Sequence, residues 1–131
     1  MIIDDMAIQQ KMHYSRSEDA IYGLDTCSNS TTISEQPSIA NKMLCYVIHG
    51  LITEYTIPAA YFFHGTLSTE NFYALTMKVL KLLTDYGIIV LRLVTDNASS
   101  NVALFKKIGK GSLTNYITHP FLQYIPFFYE F

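Results

Sequence analysis

The stretch STENFYALTMKVLKLLTDYGIIVLRLVTD, residues 68–96, decides the fold because a helical period in it gives way to a continuous apolar run. Apolar side chains recur every three or four residues, at Phe72, Leu75, Val79, Leu82, Leu83 and Tyr86. This spacing predicts a helix from Ser68 to Tyr86 that buries these side chains. Ser68 suits the N-cap, and Gly87 suits the left-handed residue that ends a helix. The next eight residues, IIVLRLVT, are typical of a strand covered on both faces of a parallel sheet.

Three strands are predicted before this helix. Residues 1–8 form the first, and β-branched and aromatic runs at Met43 to Leu51 and Thr56 to Phe63 form the second and third. The second and third strands are joined by a short connection, which predicts an antiparallel pair. Pro58 has no N–H to give to a sheet, so Thr56 to Phe63 is expected to be the outer strand.

A short hairpin and a loop are expected between the first two strands. Residues 11–14 precede a polar turn, after which Ile21-Tyr22-Gly23 can fold back on them. Residues 24–39 are rich in Ser, Thr and Asn and show no apolar period, which predicts an exposed loop.

A second helix and a last strand follow the buried strand. Ser99 or Ser100 is expected to cap a helix that runs to Ile108 and stops at Gly109, and residues 125–131 read as a strand. The chain is therefore predicted to be a single partial α/β domain over residues 1–131. The order of elements indicates an RNase H-like mixed five-stranded sheet, with the first three strands antiparallel and the later ones parallel, flanked by helices and truncated.

Composition narrows the functional classes. Half of the 131 residues are apolar and only 15% are charged, which indicates a folded domain. The net charge is −2, and the only basic cluster is Lys106, Lys107 and Lys110, so any DNA is expected to be held by other domains. Cys27 and Cys45 have no zinc-ligand spacing, and no apolar run reaches the length of a membrane span. A membrane partner is not expected.

Asp4 and Asp96 are the candidate catalytic and metal-ligating residues. In an RNase H-like sheet the first strand lies beside the fourth, so acids on these two strands meet at one place. Two close carboxylates repel each other unless a cation lies between them, and Mg²⁺ or Mn²⁺ prefers such oxygen ligands. The competing interpretation is that Asp96 is a turn or capping residue and that Asp4 marks an exposed edge.

Four segments, in the right order, resemble the P-element-type transposases and their relatives that carry a THAP zinc finger. They are Ile2 to Ile8 (IIDDMAI), residues 40–51, Ile57 to Phe63 (IPAAYFF), and Val94 to Phe105 (VTDNASSNVALF). The first resembles the hydrophobic-Asp-Glu-Met opening of that family. The last resembles its catalytic Asp followed by a turn of small residues, Asn and Leu-Phe. The resemblance covers nearly the whole chain.

The resemblance implies that Asp4 and Asp96 are the first two acids of a catalytic triad. It places the third acid, a Glu, after a GTP-binding insertion, and this chain is expected to stop before both. Glu130 stands where the family has the Asp of an Asp-x-x-His motif, and Asp5 replaces the usual Glu. The implied protein is nuclear and oligomeric, binds DNA through domains outside this chain, and uses Mg²⁺ or Mn²⁺.

Other reactive side chains carry weaker signals. Ser99 and Ser100 have no neighbouring base in the sequence pattern, so capping is the expected role. Four histidines have no metal-ligand spacing and are expected to be surface or strand residues: His13, His49, His64 and His119.

Three functions remain open from the sequence. One is an unrelated α/β binding domain whose similarity is accidental, and Asp4 and Asp96 lying side by side in a structure would argue against it. The other two concern transposases. The first is a fragment of a metal-dependent DNA transposase that is inactive alone because its third acid is missing. The second is a domesticated or decayed remnant that acts as a non-enzymatic interaction module. The missing third acid discriminates between them, and whether the chain is an enzyme is left undecided.

Overall fold

The computed structural model describes residues 1–27, 38–114 and 116–130. Its elements in chain order are β1 (Ile2–Ala7), β2 (His13–Ser15), β3 (Ala20–Tyr22), β4 (Lys42–His49), β5 (Thr56–His64), α1 (Thr69–Asp85), β6 (Arg92–Val94), α2 (Ser99–Ile108), β7 (Tyr116–Thr118) and β8 (Pro126–Glu130). Among these residues, no helix is long and apolar enough to cross a membrane.

The main sheet is mixed and has the order β5-β4-β1-β6-β8-β7. β1, β4 and β5 pair antiparallel, whereas β6 is parallel to both β1 and β8. The predicted mixed α/β fold is confirmed, but the sheet has six strands instead of the expected five. The additional strand is β7, which pairs antiparallel with β8. Its three residues are too few to show an alternating pattern in the sequence.

The outer position of β5 is confirmed. Pro58 lies opposite Val47, and the register of β4 and β5 shifts between Tyr46 and Val47. A proline and an irregularity are both tolerated at a sheet edge because no further strand needs the missing N–H.

Helix α1 begins and ends as predicted, but the predicted buried face is partly wrong. Ser68 Oγ accepts the N–H of Asn71, and Gly87 has a φ of 78° just after the helix. Leu82 and Tyr86 were expected to be buried and are instead 49% and 81% exposed. The buried side chains are Phe72, Thr76, Val79, Leu80 and Leu83.

Thr76 explains why the helical face is rotated. This polar residue is fully buried because its hydroxyl donates to the carbonyl oxygen of Phe72 at 2.9 Å and also bonds Tyr46 Oη at 3.0 Å. A satisfied hydroxyl can enter a core at little cost, so residue polarity did not reveal the true face.

The predicted strand after α1 is shorter and less buried than expected. Only Arg92–Val94 is a strand, and Ile89 is 50% exposed. Leu93 is fully buried, but its neighbours Arg92 and Val94 face the side of the sheet without helices. The apolar run was predicted to be covered on both faces, and within the described residues helices cover only one face.

The start of α2 also differs from the prediction. Its N-cap is Ala98, which makes no side-chain capping bond, and Ser99 is the first helical residue. The expected capping role of Ser99 or Ser100 is therefore wrong. Its end at Ile108 followed by Gly109 is confirmed.

The core lies between the two helices and one face of the main sheet. Sheet residues Ile3, Tyr46 and Leu93 join helix residues Leu80 and Phe105 in a single cluster. In the described part of the chain, no helix covers the opposite sheet face, which we call the open face. It exposes five large apolar side chains: Ile2, Met6, Tyr61, Tyr116 and Phe128.

The predicted hairpin before residue 24 is present as β2 and β3, which form a separate two-stranded sheet. The predicted loop at residues 24–39 lies largely outside the described residues. At its described ends, Leu24 and Ile39 form an antiparallel bridge and Cys27 is buried.

Candidate active site

The pairing of β1 with β6, in the middle of the sheet, sets the strand that contains Asp4 beside the strand that precedes Asp96. The strands are parallel, with Ile2 level with Val94, and the N–H of Val94 donates to the carbonyl oxygen of Met1 at 2.9 Å. Asp4 and Asp96 each follow these paired residues by two positions. Asp4 lies within β1 on the open face, and Asp96 lies two residues beyond the end of β6, so each acid follows its paired residue in the same strand direction. This arrangement of strands agrees with the prediction.

Asp4 is exposed and lies across from Cys45 on β4. Its Oδ1 accepts the N–H of Asp5 at 3.0 Å. Burial, followed by the negative charges of Asp4 and Asp5, raises the pKa of the Cys45 thiol. The Cys45 thiol is therefore kept in its neutral form. Among the described residues, no cationic side chain bonds Asp4.

Asp5 points to the opposite face of β1 and has two side-chain partners. Its Oδ1 lies 2.9 Å from His64 Nε2, and its Oδ2 accepts Lys42 Nζ at 3.1 Å. His64 is only 2% exposed. The pairing of β4 with β5 places Lys42 opposite His64, which explains how two residues far apart in sequence reach one carboxylate.

Asp96 combines a turn role with an available oxygen. Its Oδ1 accepts the N–H of Ala98 at 3.0 Å and Asn101 Nδ2 at 2.6 Å. Asn101 is buried and also donates to the carbonyl oxygen of Asp96 at 3.3 Å. These bonds fix the carboxylate by one oxygen and leave Oδ2 without a bond from the described residues.

A cleft of about 360 Å³ opens between β1, the end of β5 and the first turn of α2, and it is lined by Asp4 and Asp5 but not by Asp96. Its wall is apolar at Leu44 and Phe72 and polar at Asp4, His64 and Asn101. A concave surface with a few converging polar groups is the usual form of a binding site. The cleft therefore marks the surface beside Asp4 and Asp5 as the candidate site.

Glu130 lies level with Val94 on β8 and is neutralised by Arg92, whose Nη1 is 2.9 Å from Glu130 Oε2. Both side chains are about half exposed. Glu130 therefore lies in the same row of the sheet as Val94 and Ile2.

The donor atoms at Asp4 and Asp96 suit a hard divalent cation as part of a ligand set. Carboxylate oxygens are the ligands that Mg²⁺ prefers, and the ion keeps several waters. Within residues 1–27, 38–114 and 116–130, no group of three or more His, Cys, Asp or Glu side chains is arranged to hold a metal. The two acids thus fit such an ion, but as an incomplete site.

The sheet order, with the strand that contains Asp4 parallel to the strand that precedes Asp96, is that of an RNase H-like domain. The chain belongs to the family described as TNP-like, RNase H N-terminal domain, whose model matches residues 1–109. The predicted resemblance to the N-terminal part of a P-element-type RNase H-like domain is confirmed by this match and by the fold.

A solved structure titled Drosophila P element transposase strand transfer complex is similar in fold. The TM-score is 0.67 and the sequence identity is 16%. The similarity covers 98% of this chain and 25% of that chain, so this chain spans about a quarter of that transposase. No curated protein matches the sequence.

The sequence interpretation missed three residues of the site. His64 was expected to be an ordinary surface or strand residue, but it is the buried last residue of β5 and bonds Asp5. Lys42 and Asn101 were not singled out. Asn101 follows Asp96 by five residues in the segment VTDNASSNVALF, whereas no short motif links His64 or Lys42 to Asp5, and only the strand registers bring them to it.

Proposed function

We propose that this chain is the N-terminal part of the catalytic domain of a metal-dependent DNA transposase, with Asp4 and Asp96 as two of its acids. The observation that supports the proposal is the parallel pairing of Ile2 with Val94, which sets the strand that contains Asp4 beside the strand that precedes Asp96 in a chain of this family.

In this proposal, Asp4 and Asp96 supply oxygen ligands to Mg²⁺ or Mn²⁺. When bound, such ions activate the nucleophile and stabilise the leaving oxygen in phosphodiester cleavage and strand transfer. Asn101 orients the Asp96 carboxylate through Oδ1. Two acids alone hold the ion weakly, so the 131-residue chain by itself is expected to show no DNA cleavage or joining.

The proposal for the whole protein is nuclear action on DNA as part of a larger assembly. It draws support from the Drosophila transposase, whose structure is titled a strand transfer complex. This chain has a net charge of −2 and little basic surface. The phosphate contacts that give DNA affinity are therefore assigned to other domains or to a second copy.

Thermal melting with added Mn²⁺ tests the metal site. At a Mn²⁺ concentration tenfold above the dissociation constant, we expect about 1 kcal/mol of stabilisation, because the ion binds only the folded state. Asp4→Asn and Asp96→Asn should each abolish this stabilisation. Both variants should remain at least as stable without metal, because they relieve the repulsion between two like charges.

Asp85→Asn is the matched control, since it also removes one exposed, negatively charged carboxylate, here at the far end of α1. It should leave the response to Mn²⁺ unchanged. An identical response in the wild type and all three variants would contradict the metal site.

A non-enzymatic interaction module is the second candidate, favoured by the turn geometry of Asp96. Asparagine can accept the same bonds from Ala98 and Asn101 as the carboxylate does. If Asp96→Asn changes nothing in the Mn²⁺ experiment, Asp96 is a turn residue and this second function is preferred.

A further inference from the structure

We infer that Asp5, His64 and Lys42 form a positioning group for Asp4, an inference that rests on the proposed metal site. Asp5 and His64 are positioning residues because they act through Asp4 and not on the metal. The inference assigns a purpose to a buried histidine that neither the fold nor the acid pair requires.

Both carboxylate oxygens of Asp5 are held by hydrogen bonds. His64 Nε2–H donates to Oδ1 at 2.9 Å, and Lys42 Nζ donates to Oδ2 at 3.1 Å. His64 is held from all sides because only 2% of it is exposed. A carboxylate bonded at both oxygens, one of them to a buried ring, has little rotational freedom.

Asp5 also holds the carboxylate of its neighbour Asp4. The N–H of Asp5 donates to Asp4 Oδ1 at 3.0 Å, so the backbone of Asp5 sets the orientation of the neighbouring carboxylate. No bond to Asp4 Oδ2 is made by the described residues, which leaves that oxygen for a cation. Partners of this kind, one shell outside the ligands, orient metal-binding side chains.

Burying the His64 ring has a free-energy cost, because one of its nitrogens lacks a hydrogen bond among the described residues. With Nε2 protonated toward Asp5, the other ring nitrogen, Nδ1, is buried and has no hydrogen-bond partner in the described part of the chain. Such unsatisfied buried atoms are uncommon and call for an explanation. Holding Asp5, and through it Asp4, is that explanation.

The charges of this group allow a decisive test. Lys42 is a cation close to the proposed metal site, so removing it should strengthen Mn²⁺ binding if only long-range charge matters. If Lys42 acts by holding Asp5, its removal should weaken Mn²⁺ binding. The two explanations therefore predict changes of opposite sign for Lys42→Met.

The experiment measures the dissociation constant of Mn²⁺ from the paramagnetic resonance signal of the free ion, using the 131-residue chain. Lys42→Met should raise the constant about threefold, and His64→Leu about tenfold, the lower end of the usual effect of such partners. His64→Gln should stay within about twofold of the wild type, because the glutamine amide can donate from nearly the same place as Nε2. Lys81→Met, which breaks another exposed ion pair far from the site, should change nothing.

Tighter Mn²⁺ binding in Lys42→Met, or equal losses in His64→Gln and His64→Leu with both folded, would overturn the positioning group. If His64→Leu does not fold, the sign of the Lys42→Met change decides. Failure of the proposed metal site is separately visible, because the wild type and Asp4→Asn would then bind Mn²⁺ equally.

Discussion

The two faces of the main sheet differ in what they contribute. Where one face packs against α1 and α2, Tyr46 of the sheet and Leu80 and Phe105 of the helices are completely buried. The open face leaves Tyr61 and Tyr116 more than half exposed. Burial of apolar area is the main stabilising term in folding, so the covered face should supply most of the stability.

The two neighbouring acids of β1, Asp4 and Asp5, lie on opposite faces of the sheet. Asp4 follows Ile2 on the open face, whereas the neighbouring Asp5 lies on the covered side, next to buried His64. Alternation along a single strand thus joins an exposed acid to a rigid support. The comparison suggests that substitutions on the covered face will affect folding, and that substitutions on the open face will affect mainly the site.

The largest difference is expected between two leucines of α1. Leu80→Ala should lower the free energy of unfolding by about 2 to 5 kcal/mol, because it empties a fully buried position. Leu82→Ala should cost less than about 1 kcal/mol, since Leu82 is half exposed. Urea denaturation measures both. Equal losses would show that the helix buries a different face.

A smaller effect is expected at the polar contact inside the core. Tyr46→Phe removes the bond to Thr76 Oγ1, and should lower the free energy of unfolding by about 1 kcal/mol. Thr76 keeps its bond to the carbonyl oxygen of Phe72, which limits the loss. Thr84→Val is a control, because Thr84 makes a similar bond to its own helix but is only partly buried. A loss in Thr84→Val as large as that in Tyr46→Phe would remove the special role of the Tyr46 contact.

A pH effect is expected at His119, whose ring packs 5.2 Å from the buried Phe127 on the covered face. Burial lowers the pKa of His119, so the folded state favours the neutral ring. Its contribution to stability is therefore present above the pKa of the unfolded chain, about 6.5, and is lost as the pH falls toward the lower folded value. Melts from pH 7 to 5 should show this loss.

Two variants isolate the histidine. His119→Phe should reduce the fall in melting temperature between pH 7 and 5, whereas His13→Phe, on the exposed strand β2, should not. The same fall in the wild type and in His119→Phe would assign the effect to other groups.

The smallest effect is expected on the open face. Tyr61→Ser should change the free energy of unfolding by about 0.5 kcal/mol or less, because most of the ring is already exposed. Urea denaturation of Tyr61→Ser and Leu80→Ala under the same conditions compares their losses in the free energy of unfolding. A loss near that of Leu80→Ala would mean that the open face is packed in solution.

Much of the fold could be predicted because its elements carry strong local signals. The period of α1, its Ser68 cap and Gly87 stop, and the proline on β5 are all visible in the sequence and agree with the structure. The errors come from tertiary partners. The hydroxyl of buried Thr76 bonds Phe72 in its own helix and Tyr46, thirty residues away, and the second of these bonds cannot be read from the local pattern.

The candidate site could be predicted only in part for the same reason. Asp4 and Asp96 stand out because the predicted strand order puts β1 beside β6, and the structure has these two strands paired. His64 and Lys42 reach Asp5 only through the exact pairing of β4 with its two neighbours, which a single sequence does not specify. Their roles, and those of the two acids, stay predictions until metal binding is measured.

The proline in β5 has a consequence for behaviour at high concentration. An unpaired edge strand can recruit another chain and start an extended intermolecular sheet. Here one edge contains Pro58, which has no N–H to offer, beside a register shift, and the other edge is β7, only three residues long. Among the described residues, neither edge is a good template for growth, so this sheet, with five large apolar side chains exposed on its open face, is protected against edge-to-edge aggregation.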